Sequence, residues 1–318
     1  MTGSAWAGGN RALSRWARLA TERVHPLVRA TRDLKRAQPL RLFRLMAAEE
    51  KRVIQAVLRQ GKKIERASRM LAGVLAEGGR VFFIGAGTSG RLGVQEAAEC
   101  PPTFGTRPRQ IQALMAGGRA AVFRAREGAE DRGAEAVATL KRKKLAARDL
   151  VVGISASGAT PFVTSGLAFA RRRRAQTVLV TSTRPAARGL ADVVIATAVG
   201  PELIAGSTRL KAGSAAKLVL NALSVLAMVR LGKVYGPYMV DMRAGSAKLR
   251  ERARRMVARV GRVSLATATR LLRQSRGEVK TAIVSARLGL PARQARRRLA
   301  AASGDLDAVL ESRDSRRR

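Results

Sequence analysis

Two carboxylates held in different environments can divide acid and base work between them. This chain offers such groups at Glu99, in "AAECPP", and at Glu127 and Glu130, in "REGAED". Close before Glu99 stands a loop of different chemistry, "GAGTSG" at 85–90, in which Gly85, Gly87 and Gly90 surround Thr88 and Ser89. A second loop, "SASGAT" at 155–160, sets Ser155, Ser157 and Thr160 around Gly158. Hydroxyls among glycines leave backbone N–H groups open to an anion, most of all where a helix begins just afterwards. Either loop alone also reads as an ordinary helix N-cap with spare hydroxyls. The pair, on consecutive strand ends, points to an anion site. Neither ends in the "GK[ST]" of a nucleoside-triphosphate loop, so a monophosphate is the simpler ligand. A glutamate on a helix more often faces solvent than substrate, and the residues alone leave both readings of Glu99 and Glu130 open.

The elements that must position these groups follow from hydrophobic pattern. "RVFFIGAG" (80–87), "DLVVGISASGAT" (149–160), "QTVLVTS" (176–182) and "DVVIAT" (192–197) are short apolar runs that close on small or hydroxyl residues. They read as buried parallel strands separated by helices, a sheet covered on both faces. Ligands in such sheets bind beyond the carboxyl ends of the strands, where both loops fall. Apolar residues recur at three and four from Asp33 to about Ala76, which predicts helices, and a long helix is expected from near Thr208 to Gly232. Prolines after Glu99 are expected to stop its helix there. After about Arg243 the texture changes to short amphipathic helices set apart by glycine or proline. The chain therefore divides into an N-terminal segment and helical arm (1–50), an α/β domain (51–249) and a small helical domain with a basic tail (250–318). "MTGSAWAGGN" at the start is expected to be disordered.

Composition narrows the class of function. The single cysteine, Cys100, excludes an intrachain disulfide and suits a reducing compartment. Together with the single histidine, His25, it excludes the usual transition-metal cluster, so no metal and no cofactor are expected. No apolar signal-peptide core opens the chain, and "LVLNALSVLAMV" (218–229) is short of a membrane span, so a cytoplasmic protein is expected. Against 62 basic residues stand 22 acidic ones, a formal charge of +40. Nucleic-acid binding is one reading of that charge. Aromatics are only 3 %, and the basic clusters "KRKK" (141–144), "RRRR" (171–174) and "SRRR" (315–318) are dispersed. Solvated helix faces are the favoured reading, with a long-range field that attracts anionic ligands and no specific nucleic-acid site.

"GAGTSGRLGVQEAAECPPTFG", "EGAED", "VVGISASGATPF", "GSTRLKAGSAAKLVLN" and "RLGKVYGPYMVDM", in this order, resemble the N-acetylmuramic acid 6-phosphate etherases of the sugar isomerase (SIS) fold group. The resemblance implies an α/β three-layer sandwich with a parallel sheet, followed by a small C-terminal helical domain. It implies removal of D-lactate from carbon 3 of the opened muramic sugar, then addition of water, in cell-wall sugar recycling. Glu130 matches the family base that takes the carbon-2 proton, and Glu99 the acid that protonates the departing lactate oxygen. Thr88, Ser89, Ser155, Ser157, Gly158, Thr160, Ser207 and Lys211 are the implied contacts to the sugar phosphate. The carboxylates thus belong to the end of the sugar away from the phosphate. The resemblance also implies a homodimer with each site near the subunit interface.

The chain departs from the family pattern where it has Ala159 for arginine, Ala216 for glutamine, Val225 for threonine and Pro237 for asparagine. Ala47 and Ala48 precede Glu49 and Glu50 where the family has an "N-ED" segment. The rival reading is a non-catalytic sugar-phosphate sensor on the same fold, related to the glucokinase regulatory protein. Retention of Glu99 and Glu130 favours the enzyme; the lost polar groups favour the sensor.

Overall fold

Strict alternation along five short strands sets the layers. The computed structural model describes residues 23–26, 38–183 and 189–311. The opening "MTGSAWAGGN", residues 33–37 of the expected first helix and the tail "SRRR" lie outside them. Strands β1 (Val81–Gly85), β2 (Ile111–Met115), β3 (Leu150–Ile154), β4 (Gln176–Thr181) and β5 (Val193–Ala196) form one parallel sheet in the order β2-β1-β3-β4-β5. Val81 lies opposite Ile111 on one side and Leu150 on the other. Phe83, Val152 and Val180 point to one face; Phe82, Ile84, Val151 and Leu179 point to the other. Each face buries its own core, as a parallel sheet with helices on both sides requires.

On the first face lie α1 (Pro39–Leu58), α2 (Gly61–Ala76), α3 (Gly87–Phe104) and, later in the chain, a helix spanning Lys211–Arg230. The second face is covered by α5 (Gly133–Arg142) and α6 (Pro161–Arg172), whose Leu140, Phe162 and Leu167 meet Phe82 and Ile84. A four-residue helix, α4 (Ala120–Phe123), follows β2. The Lys211–Arg230 helix, α7, is long and apolar enough to cross a bilayer by length and composition alone. Its Ala215, Val219, Leu223 and Ala227 are instead buried against the sheet layer, and it packs on α1, α2 and α3. It is a core helix.

Two local expectations are corrected. Strand β2 was not anticipated: "IQALM" carries one β-branched residue, and as the edge strand it leaves Gln112 and Ala113 half-buried, so neither composition nor alternation marks it. Nor do the prolines stop the helix that carries Glu99. Pro101 and Pro102 lie inside α3, which continues to Phe104. It ends at Gly105, whose φ of 65° supplies the left-handed closing residue and whose N–H reaches the Pro101 carbonyl at 3.0 Å. A Cβ there would fall 2.4 Å from the Asp241 carbonyl oxygen, so the close approach also demands glycine.

Beyond residue 240 a separate core forms from α8 (Ala247–Gly261), α9 (Leu265–Gln274), α10 (Val279–Leu288), α11 (Ala292–Ala301) and α12 (Leu306–Glu311). Ser246 and Ser264 cap the first two of these, accepting the N–H groups of Leu249 and Thr267. Asp241 ties this unit to the end of the preceding segment: its carboxylate meets Lys233 at 2.8 Å and Lys280 at 3.1 Å.

Candidate active site

The first loop is built by contact between two glycines. A Cβ on Gly90 would lie 2.7 Å from the Gly85 carbonyl oxygen, and one on Gly85 would lie 2.8 Å from the Gly90 nitrogen. Only without side chains can β1 turn so sharply into α3. The first helical bond is Gly90 N–H to Ala86 O at 3.1 Å, so the N–H groups of Gly87, Thr88 and Ser89 have no carbonyl partner within the helix. They supply the positive end of the helix dipole at the carboxyl edge of the sheet. Thr88 also leans on the start of α7: its methyl and the Thr208 carbonyl oxygen each stand 3.6 Å from where a Gly213 Cβ would be. Ser207, half-buried, lies just before that point.

The second loop is knitted together by its own hydroxyls. Ser155 Oγ lies 2.9 Å from Thr160 Oγ1 and 3.2 Å from Ser157 Oγ, and it accepts the Gly158 N–H. Gly158 takes a φ of 67°, which folds the loop so that Ser157 Oγ accepts the Ala159 N–H. Ser155 and Thr160 are buried, whereas Ser157 is half-buried and the most accessible of the three. Thr160 stands at the N-cap of α6, with Pro161 at its first position. Two residues that sequence reasoning missed hold this loop from the neighbouring strand end: Thr183 donates to the Ser157 carbonyl and Thr181 to the Ala156 carbonyl. Their signal was the hydroxyl-rich "TST" closing the β4 run.

Glu130 sits in a 3-10 turn, Ala129–Asp131, after Gly128. A cavity of about 160 Å³ brings that turn against Ala86 and Gly87 of the first loop, with Arg91, Met115 and Arg126 also lining it. Glu130 is exposed in the single chain, yet partial desolvation by the cavity wall and then the charges of Asp131 and Glu127 push its carboxyl up from its ordinary range. Arg91 braces the cavity wall, donating to the carbonyls of Ala121 and Val122.

Glu99 does not line this cavity; it is exposed on α3. One turn earlier Glu96 is buried and accepts a 2.7 Å hydrogen bond from Asn221 of α7, whose own oxygen accepts from Lys217. Cys100, beside Glu99, is buried, and burial with the charges of Glu96 and Glu99 pushes its thiol up to about 12. A thiol so held is no nucleophile at neutral pH.

Lys211 differs from its expected role as an anion contact. Its ammonium is buried and bonded at 2.7 Å to Glu49, an oxygen that His25 Nε2 also approaches at 3.1 Å. Its backbone N–H and that of Ala212 go to the buried Glu202, which closes the N-terminus of α7. The physical reason is charge balance: Glu49 and Glu202 are both removed from water beside Lys211, and the lysine answers them. Among the described residues no group of three or more His, Cys, Asp and Glu side chains is disposed to hold a metal ion.

The hydroxyl loops predict a separable effect. Ser157→Ala is expected to weaken binding of a sugar phosphate about ten- to a hundredfold, the loss of a charge-assisted hydrogen bond. Affinity for the unphosphorylated sugar should stay within twofold, and calorimetric titration with both would show equal losses if Ser157 makes no phosphate contact.

Comparison with known proteins identifies relatives of the chain. A sequence profile of the glucokinase regulatory protein N-terminal SIS domain matches residues 63–171. A protein of Rubrobacter xylanophilus named N-acetylmuramic acid 6-phosphate etherase is 47 % identical over 292 residues, which cover 91 % of this chain and 95 % of that one. A protein of the same name from Geobacillus thermodenitrificans is 44 % identical, with 85 % and 92 % covered. One from Edwardsiella ictaluri is 43 % identical, with 93 % and 98 % covered.

Proposed function

The chain belongs to the N-acetylmuramic acid 6-phosphate etherase family, and from that premise we propose how its residues divide the reaction. It is an etherase, a carbon–oxygen lyase acting on N-acetylmuramic acid 6-phosphate. The phosphate binds to Ser157 and to the N–H groups at the start of α3, with Ser155, Gly158 and Thr160 shaping the loop and Thr88, Ser89 and Ser207 around it. Glu130 takes the carbon-2 proton of the ring-opened sugar, made acidic by the adjacent aldehyde. The electron pair left on carbon 2 forms a double bond to carbon 3 as the carbon–oxygen bond breaks. Glu99 gives a proton to the departing oxygen, and D-lactate leaves. Glu99 then takes a proton from water, which adds at carbon 3, and carbon 2 is reprotonated to give N-acetylglucosamine 6-phosphate.

One observation carries this assignment: the cavity that holds Glu130 is walled by Ala86 and Gly87, the opening of the phosphate loop. A sugar anchored there by its phosphate presents its other carbons to the carboxylate. The raised proton affinity of Glu130 suits a base working near neutrality. Its sign also fixes a pH trend: the base must be ionised, so activity is lost on acidification sooner than an ordinary glutamate would dictate. D-lactate release from N-acetylmuramic acid 6-phosphate tests the whole reading. A protein that binds the sugar phosphate but releases no lactate would instead be a sensor, a reading that Ala159 and Ala216 favour.

A homodimer accounts for the apolar surface. Leu218, Val225, Leu226 and Val229 stand exposed along one stripe of α7, and Leu40, Phe43, Ile54 and Leu58 are exposed on α1, which packs beside it. The family resemblance sets each site near the subunit interface, where a second copy would shelter Glu99, which is open to solvent in the single chain. Sedimentation should give about twice the 34.0 kDa chain mass, and Leu226→Glu should halve it. The buried thiol and the lone cysteine suit a cytoplasmic setting.

A further inference from the structure

We propose that Arg126 is the receptor for the lactyl carboxylate and so sets the preference for the muramic over the glucosamine sugar. The inference rests on the function proposed above and adds a subsite to it. The substrate differs from the hydrated product by a lactyl group, whose carboxylate is an anion of its own. That carboxylate hangs from carbon 3 through the ether oxygen and a single carbon. Carbon 3 is bonded to carbon 2, where Glu130 must work. Whatever group receives the carboxylate must therefore stand within side-chain reach of Glu130.

Electrostatics make a cation there necessary. The cavity already carries Glu127 and Glu130, and a third carboxylate entering it meets repulsion unless a positive group answers. Two cations line the cavity. Arg91 is committed to the Ala121 and Val122 carbonyls. Arg126 has no hydrogen-bond acceptor or carboxylate partner for its guanidinium among the described residues. Its stem is nonetheless seated. Gly117, at a φ of 78°, carries no side chain, and a Cβ there would lie 3.1 Å from Arg126 Cδ. The glycine thus gives the stem of the exposed Arg126 a backbone to rest on, and the residue lines the cavity. A guanidinium offers a forked pair of donors that fits a carboxylate in two parallel hydrogen bonds. The cavity, about 160 Å³, has room for several waters and so for a lactyl group.

The test compares two ligands that differ by the lactyl group. KM for N-acetylmuramic acid 6-phosphate and the inhibition constant of N-acetylglucosamine 6-phosphate are measured for the parent, Arg126→Met, Arg126→Lys and Arg124→Met. Arg126→Met should raise KM about ten- to a hundredfold with kcat within threefold, and leave the product's inhibition constant within twofold. Arg126→Lys should recover part of the loss, because the charge returns without the fork. Arg124 is exposed, as Arg126 is, but does not line the cavity, so Arg124→Met should change neither constant and controls for net charge. Unchanged KM in Arg126→Met, or equal losses for both sugars, overturns the proposal. Should the parent release no lactate, it is the etherase reading that fails; equilibrium binding of the same two sugars then decides the Arg126 question alone.

Discussion

Replacing Glu49 by alanine is expected to cost about 3–5 kcal/mol of folding stability, because it strands a buried charge. Glu49 is 3 % exposed and is met by Lys211, His25 and Arg52, at 2.7, 3.1 and 2.8 Å. Lys211, itself 4 % exposed, would be left with a buried ammonium and no carboxylate beside its Nζ. Burial alone would raise the Glu49 carboxyl, but hydrogen bonds from Lys211 and His25 outweigh it and hold the group below its ordinary range. A depressed carboxyl stabilises the fold above its unfolded pKa, and that contribution is lost as pH falls through its native pKa. Urea unfolding at neutral pH should therefore show the full deficit of Glu49→Ala, and the gap to the parent should narrow in acid. Arg52→Ala tests the specificity of the argument: that side chain is 70 % exposed, and its removal should cost under about 1 kcal/mol. A deficit below 1 kcal/mol for Glu49→Ala would mean that the Lys211 charge is relieved by water or neutralised. The lysine would then be free to meet a ligand, as its motif first implied.

That cluster marks the limit of what the sequence discloses. Apolar runs located β1, β3, β4 and β5 because a parallel strand buried on both faces has to be continuously apolar. β2 escaped because an edge strand can keep residues such as Gln112 half-buried. The two loops were legible from glycines and hydroxyls together, since a sharp strand-to-helix turn needs both the missing Cβ and the local acceptors. What the loops do with those hydroxyls was less legible. Ser155 and Thr160 bind each other, and only the folded chain brings Thr183 to the Ser157 carbonyl, across 26 positions of sequence. Likewise nothing near Lys211 announces Glu49, 162 positions away. A lysine before a helix reads as an anion contact until its counter-charge is seen. The positions of Glu99 and Glu130 came from resemblance, and neither periodicity nor spacing would have separated them from surface glutamates.

Their division of labour makes the last and largest prediction. Glu130 and Glu99 are both exposed and lie on different elements, one in the turn that lines the cavity and the other on α3, so each can be removed without moving the other. Elimination begins with loss of the carbon-2 proton and is completed by protonation of the lactate oxygen. An enzyme without its base can do neither. One without its acid can still loosen the proton and return it, because the carbanion is shared with the neighbouring carbonyl. Incubated with substrate in heavy water, Glu99→Gln should exchange the carbon-2 hydrogen for deuterium while lactate release falls about 10²–10⁴-fold. Glu130→Gln should lose exchange and lactate release together, by a similar factor. Proton NMR reads both events in one sample. Glutamine keeps the size and one hydrogen-bonding oxygen of each side chain, so a folding defect should not imitate either pattern. Exchange lost in Glu99→Gln and kept in Glu130→Gln would swap the two roles. Near-normal release from both would remove the carboxylates from the chemistry. On the proposed roles the asymmetry follows from placement: Glu130 shares its cavity with Ala86 and Gly87 of the first loop, and Glu99 does not line it. On the proposed homodimer, a second subunit would enclose Glu99 on α3. Diluting the parent below its dimer constant should therefore suppress lactate release before it suppresses exchange.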